Sequence, residues 1–250
     1  MKIERWQRES LECYNGKLAT LVFTPKCDDN CGYCNRSEFE NAERHIEDKR
    51  VLDYLNLNRN KIEAVAIMGG EPTTKPGLID FVKNVKDLGM LVKLFTNGAR
   101  YNVLQELKNA KLIDSISMNV KGPISLYPLT GKNKPLSIRD GLGKSISIIS
   151  QFPDYEFRTT TNLIYDEDDK LRWMTEKEIG ETAELIVDWV KDGEGIKYFL
   201  QSFKAANRKR GDSRFMKVNL PEEFHFTPVE HLEKCLIEAQ KHIPQTRIRQ

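Results

Sequence analysis

The chain has almost no net charge, few histidines and little cysteine. Its 39 Lys and Arg nearly cancel 37 Asp and Glu, for a formal charge of +2. No bulk charge of one sign is there to gather nucleic acid or coat a membrane surface. No apolar run approaches the roughly 20 residues that cross a bilayer. The opening residues, Met1-Lys2-Ile3-Glu4-Arg5-Trp6, are polar and mixed in charge and do not read as a signal peptide. Five cysteines is an odd number, which argues against a disulfide framework and for a reducing compartment. The expectation is a cytoplasmic protein with no membrane partner and no nucleic acid. At 250 residues, 39% hydrophobic, the chain can build one large core. We expect one domain over 1–250, with its core at about 18–205 and a basic segment and helix over about 206–250.

What cysteine there is lies mostly in one place. Cys27, Cys31 and Cys34 are spaced C-x3-C-x2-C, with Gly32 between. Three thiolates on a short loop suit an iron–sulfur cluster or zinc better than a hard cation. They leave one coordination position to another ligand, and an open position on a metal is usually where chemistry happens. A zinc site completed by Cys13 or His45 is the competing reading. Cys13 and Cys235 read as packed thiols.

The rest of the chain alternates strand and helix. Leu18–Thr24, Glu63–Met68, Leu91–Phe95, Ile113–Val120, Tyr155–Ile164 and Ile196–Phe203 read as six strands. A hairpin around Asn15-Gly16 is expected before the first. Helices are expected over about 38–59, from Pro76 as first residue, around Leu104, around Ile146, from the Thr175/Glu178 capping box, and over about 227–241. Six βα units argue for an α/β fold with parallel strands and right-handed crossovers. They are too few for a full eight-fold barrel, so a partial, open-sided (β/α)6 TIM-type barrel is expected. A flat doubly wound sheet is the alternative. The unusual residues fall at strand ends: the cysteines, then Gly69-Gly70-Glu71-Pro72, then Thr96-Asn97-Gly98, then Asn119 and Lys121. In parallel α/β folds that carboxyl end carries function. The two glycines would let backbone approach a ligand and leave amides free to bind it. Arg158 and Gln201 lie within the fifth and sixth strands, and Lys204–Lys217 is locally basic.

The cysteine spacing, with an aromatic before its last cysteine and GGEP after the next strand, resembles the radical S-adenosylmethionine enzymes. Ser10-Leu11 through Tyr14, Gly16-Lys17, GGEPT, TNG, Lys121 and YEFRTT resemble, within them, the activating enzymes of glycyl-radical proteins, nearest to activators of anaerobic ribonucleotide reductase. The resemblance covers about 1–205. It implies that Cys27, Cys31 and Cys34 bind three irons of one [4Fe–4S] cluster. The fourth iron would be chelated by the amino and carboxylate groups of S-adenosylmethionine. Reductive cleavage would release methionine and a 5′-deoxyadenosyl radical, which takes a hydrogen atom from a glycine of a partner enzyme, class III ribonucleotide reductase. A flavodoxin- or ferredoxin-type reductant is implied. Tyr33 and Asn35 would sit beside adenine and cluster. Gly69, Gly70 and Glu71 would face the methionine amine, with Thr96 and Asn97 also at the cofactor. Asn119, Lys121 and Arg158 would meet ribose and carboxylate. No catalytic residue beyond the cluster is implied. The sequence departs from the activase pattern at Asn35, where many have histidine, and at Phe95 and Asn119, where many have aspartate. A radical enzyme acting on a small molecule or RNA, and a non-catalytic metal-binding module, are the other readings.

Overall fold

Ala19–Thr24 is buried at every position, which is how a strand covered on both faces reads. It is the third of twelve strands in a computed structural model that describes residues 1–29, 31, 45–127, 135–166, 168, 170–191, 195–205 and 220–249. The first part runs β1 Lys2–Ile3, β2 Arg5–Ser10, β3 Ala19–Thr24, β4 Ile46–Glu47, α1 Asp48–Leu57, β5 Ala64–Gly69 and α2 Leu78–Asp87. There follow β6 Leu91–Thr96, α3 Tyr101–Asn109, β7 Ser115–Asn119, α4 Pro135–Ile149 and β8 Tyr155–Thr161. The chain closes with β9 Leu163–Tyr165, β10 Leu171–Trp173, α5 Glu176–Trp189, β11 Tyr198–Ser202, α6 Val229–Gln240 and β12 Arg247–Arg249.

Eight strands form one sheet in the order β12-β11-β8-β7-β6-β5-β3-β2. All neighbours are parallel except β2, which forms a hairpin with β3. That hairpin is the one expected at Asn15-Gly16, where Gly16 has φ +69°. The two edge strands, β2 and β12, do not pair with each other, so the sheet is open-sided.

Strand parity separates barrel from doubly wound sheet. Val22, Ile67, Leu94, Met118 and Phe157 point to one core, and that core holds the buried stripes of the six helices among the described residues. In α2 the stripe is Leu78, Phe81, Val82 and Val85, at helical spacing. The alternate positions Leu21, Phe23, Ala66 and Met68 form a separate cluster with Cys13 and Phe95. A doubly wound sheet would put helices against both parities. Helices on one face leave the other as the inner wall of a partial barrel, as expected.

Several boundaries differ from expectation. Pro76 lies in a turn, and α2 begins after Gly77, whose left-handed φ of +79° supplies the bend. The fifth expected strand breaks at Asn162 into β8 and β9, because β9 turns away to pair with β10. The short tail holds β12, a seventh parallel strand whose three residues carry too little pattern to be legible. The capping box is present: Thr175 Oγ1 accepts from Glu178 N at 3.2 Å, and Thr175 N donates to Glu178 Oε2 at 2.7 Å. The expected helix over 38–59 is α1 from Asp48; residues 38–44 and most of the basic segment, 206–219, lie outside the described residues. No helix among the described residues is long and apolar enough to cross a membrane.

Candidate active site

The carboxyl ends of β3, β5, β6 and β7 bring the marked residues together. Cys27 and Cys31 follow β3 as half-buried thiols outside any disulfide. Cys34, Tyr33 and Asn35 lie outside the described residues.

The glycine pair seats one loop on the other. A Cβ at Gly69 would lie 2.4 Å from Thr24 N, and one at Gly70 would lie 1.9 Å from Lys26 O. Gly70 N donates to Thr24 O at 2.9 Å and Glu71 N to Lys26 O at 3.1 Å. Those two amides, expected to be free for a ligand, are instead given to the root of the cysteine loop. The reason is steric: only glycine lets the backbones of these neighbouring parallel strand ends come this close. Lys26 itself is left-handed, at φ +45°, and its carbonyl also accepts from Lys75 Nζ at 2.8 Å.

Glu71 braces the next loop. Its Oε1 accepts from Thr73 N at 3.1 Å, Thr73 Oγ1 at 2.5 Å and Thr96 Oγ1 at 2.7 Å. Its Oε2 accepts from Asn97 N at 2.7 Å. In this geometry the carboxylate holds the turns after β5 and β6 together. Burial pushes its pKa above the usual carboxylate range, against the downward pull of bonds from Thr73, Asn97 and Thr96.

Two acidic residues inside the cysteine loop tie it to the sheet. Asp28 accepts from Asn97 Nδ2 at 3.0 Å and from Arg100 Nε at 3.3 Å. Asp29 forms an ion pair with Lys121, and both side chains are buried. Lys121 is therefore no solvent-facing turn residue. Burial lowers its pKa to about 8, while Cys27 and Asp28 pull it upward. Its backbone N donates to Tyr127 Oη at 3.2 Å. Asn97 Nδ2 lies 3.9 Å from Cys27 Sγ, an N–H directed at sulfur.

This donor set fits an iron–sulfur cluster. Soft thiols are offered, an amide N–H faces one sulfur, and Lys75, Arg100 and Lys121 surround the loop with positive charge. The zinc completions find no support in placement. Cys13 packs on the inner-face cluster, and His45 is exposed. Cys235 is buried in the main core, as expected, and burial pushes its thiol up to about 12.

The structure thus brings Cys27, Cys31, Gly69, Gly70, Glu71, Thr96, Asn97 and Lys121 to one locus. Asn119 is exposed at the end of β7, opposite Arg158 in the ladder. Arg158 turns instead to Glu156, with Nε at 2.8 Å. Sequence reading missed Asp28, Asp29, Arg100 and Tyr127, which carry no signal apart from their partners. It also missed Asn162. That side chain is wholly buried where β8 ends, and neither its Nδ2 nor its Oδ1 has a partner among the described residues.

Lower on the inner face, Glu156 meets three cations: Lys93 at 3.4 Å, Arg158, and Arg249 through two bonds of 3.0 and 2.9 Å. Burial raises the pKa of Glu156, but bonds and charge from Arg249, Arg158 and Lys93 outweigh it and hold it at about 2. The unfolded chain binds this proton more readily, so the contribution to stability is complete above the ordinary value of 4.5 and is lost as pH falls toward about 2. Glu156→Gln is expected to remove that loss. Denaturant titrations of the cluster-free chain check it: the variant's stability should fall less steeply than wild type across that acid window.

A sequence profile of the radical SAM superfamily matches residues 21–186. A Methanocaldococcus jannaschii protein provisionally named a glycyl-radical enzyme activating enzyme is 28% identical over 90% of this chain and 88% of its own. A Pyrococcus abyssi protein provisionally named a GTP 3′,8-cyclase is 30% identical over 37% of this chain and 31% of its own length. The structure of SuiB from Streptococcus suis bound to S-adenosylmethionine shares the fold, with a TM-score of 0.60 and 15% identity, over 92% of this chain and 51% of that one. The chain thus spans nearly all of the first relative, under a third of the second and about half of SuiB.

Proposed function

The chain belongs to the radical SAM superfamily, and from that premise we propose that it installs a glycyl radical on a partner enzyme, class III ribonucleotide reductase. Its cofactors are a [4Fe–4S] cluster and S-adenosylmethionine. The observation that carries the activase reading is the match to the Methanocaldococcus jannaschii relative, which runs through nearly the whole of both chains. An open-sided sheet also suits a polypeptide loop as substrate.

On this reading Cys27, Cys31 and Cys34 hold three irons of a single cluster. When bound, the cluster and S-adenosylmethionine supply one-electron reductive cleavage followed by hydrogen-atom abstraction. The chain's own residues position and shield. Glu71 locks the β5 and β6 loops to each other, and Gly69 and Gly70 dock the cysteine loop on that pair. The Asp29–Lys121 pair anchors the loop from β7. Asn97 offers its N–H to the Cys27 sulfur and so offsets thiolate charge. Tyr33 and Asn35 are assigned to the adenine side. Thr96 and Asn97 are assigned to the cofactor edge, where Glu71 holds the Thr96 hydroxyl and the Asn97 backbone N–H. Asn119, exposed at its strand end, is left for ribose or carboxylate. Lys121 and Arg158 already hold Asp29 and Glu156. The whole chain acts as one domain in the reducing cytoplasm, with a flavodoxin- or ferredoxin-type protein as electron donor.

A second reading, a small-molecule substrate, is favoured by one observation: the charged cluster around Glu156 on the inner face. Anaerobic reconstitution with S-adenosylmethionine, a strong reductant and the candidate partner separates the two. A glycyl-radical doublet in electron paramagnetic resonance is expected for the activase. Release of 5′-deoxyadenosine with no doublet moves the assignment to the second reading. No cleavage by a fully loaded protein would sink both.

A further inference from the structure

We propose that Lys93, Arg158 and Arg249 form an anion-binding subsite on the inner face of the sheet, which takes the phosphate or carboxylate of a small-molecule substrate. The inference rests on the second reading above and names the substrate class.

Three cations from β6, β8 and β12 meet one carboxylate, Glu156. The other carboxylate acting on Lys93, Asp154, is already bonded by Lys197 at 2.5 Å and Ser115 at 2.6 Å. Glu156 is crowded on one oxygen. Oε1 alone receives Arg158 Nε and Nη2, Arg249 Nη1 and Lys93, more than its roughly two acceptor positions, while Oε2 receives Arg249 Nη2. Donors are left over. Among the described residues Arg158 gives nothing from Nη1, and Lys93 pairs only with Glu156. Excess positive charge on a largely buried wall is costly until an anion joins it.

The wall is shaped to hold those donors still. The Phe95 ring lies 4.9 Å from the Arg158 guanidinium and 5.3 Å from Lys93 Nζ. The Phe199 ring lies 3.8 Å from the guanidinium of Arg249. Rings beneath cations fix them and exclude water, which strengthens their pull on an anion. Lys93 is only 7% exposed, whereas Arg249 is 29% exposed and opens the cluster on one side. A small terminal anion reaches such a place more readily than a folded acidic surface.

Register fixes the depth. Asn119 pairs with Arg158, Ser117 with Glu156, and Ser115 with Lys93. At about 3.3 Å per residue, the cluster reaches roughly 13 Å down from the strand end. An anionic group held there would leave the other end of its molecule pointing up toward the cysteine loop.

The test is isothermal titration of the cluster-loaded protein, saturated with S-adenosylmethionine. The probes are inorganic phosphate, pyrophosphate, acetate and tetraglutamate. Saturable binding of a phosphate probe or of acetate is expected, and the better one identifies the group. Arg249→Gln should weaken it about tenfold, the scale of one lost charge-assisted bond. Glu156→Gln should tighten it, because it removes the competing carboxylate. If one variant fails to fold, the other still decides by its opposite sign. No saturable binding, affinities unchanged in the variants, competition with S-adenosylmethionine, or tighter binding of tetraglutamate would each overturn the proposal. The titration requires no turnover, so its failure is distinguishable from failure of S-adenosylmethionine cleavage.

Discussion

Cys27→Ala is expected to cut iron from about four per chain to a small residue and to abolish 5′-deoxyadenosine release. Cys27 is the first cysteine after β3, and the Asn97 amide reaches its sulfur. With it gone, the proposed ligand set falls from three thiolates to two. The fold should survive, because the side chain sits half-buried on a loop and belongs to no core cluster. Its cost in stability should stay within about 0.5 kcal/mol, the range for sites away from the core. Iron and acid-labile sulfide assays, with chromatography of the nucleoside product, check this. About four irons in the wild-type chain supports a single cluster, and about eight would require ligands elsewhere. Full iron loading with undiminished release in the variant would move the site off this loop.

Gly70→Ala should damage both stability and the metal site, by a route no lost ligand explains. The added methyl would lie 1.9 Å from Lys26 O, 2.3 Å from Lys26 C and 2.9 Å from Cys27 N, all backbone atoms. Backbone cannot swing aside as a flexible side chain can. Relief must break the Glu71 N–Lys26 O bond and push out the root of the cysteine loop. Overpacking of this kind costs roughly 1–3 kcal/mol. For a chain of this size that lowers Tm by roughly 2–4 °C per kcal/mol. Iron content should fall with it, since Cys27 begins at the displaced atoms. Gly141→Ala is the control. It lies in α4 with nothing within 4 Å of the added carbon and no left-handed φ. There alanine should be neutral or stabilise by up to about 1 kcal/mol. Equal losses at both positions would refute the steric account of the glycine pair.

The contrast between these two glycines shows where sequence reading runs out. GGEP was legible as a strand-end motif, and its place beside the cysteine loop followed from two successive βα units. The use of the glycines was not legible. Whether an amide faces a ligand or a neighbouring carbonyl depends on the distance between two chain segments, here Thr24–Lys26 and Gly69–Glu71. The partner of Lys121 was not legible for the same reason: Asp29 lies 92 positions away and no local pattern joins them.

Local spacing was enough for the chemistry of the thiol loop, the six βα units and the Thr175/Glu178 cap, because each is written within a few residues. It was enough for strand parity too, since alternation requires only that neighbours point oppositely. It could not say which parity the helices cover. That choice belongs to the packed sheet, and it makes the fold a partial barrel with an inner wall. The same packing gathers Lys93, Glu156, Arg158 and Arg249 from three strands, the last on a three-residue tail that carries no strand pattern. Charges so far apart in the chain have no common meaning until backbone register sets them side by side on one face.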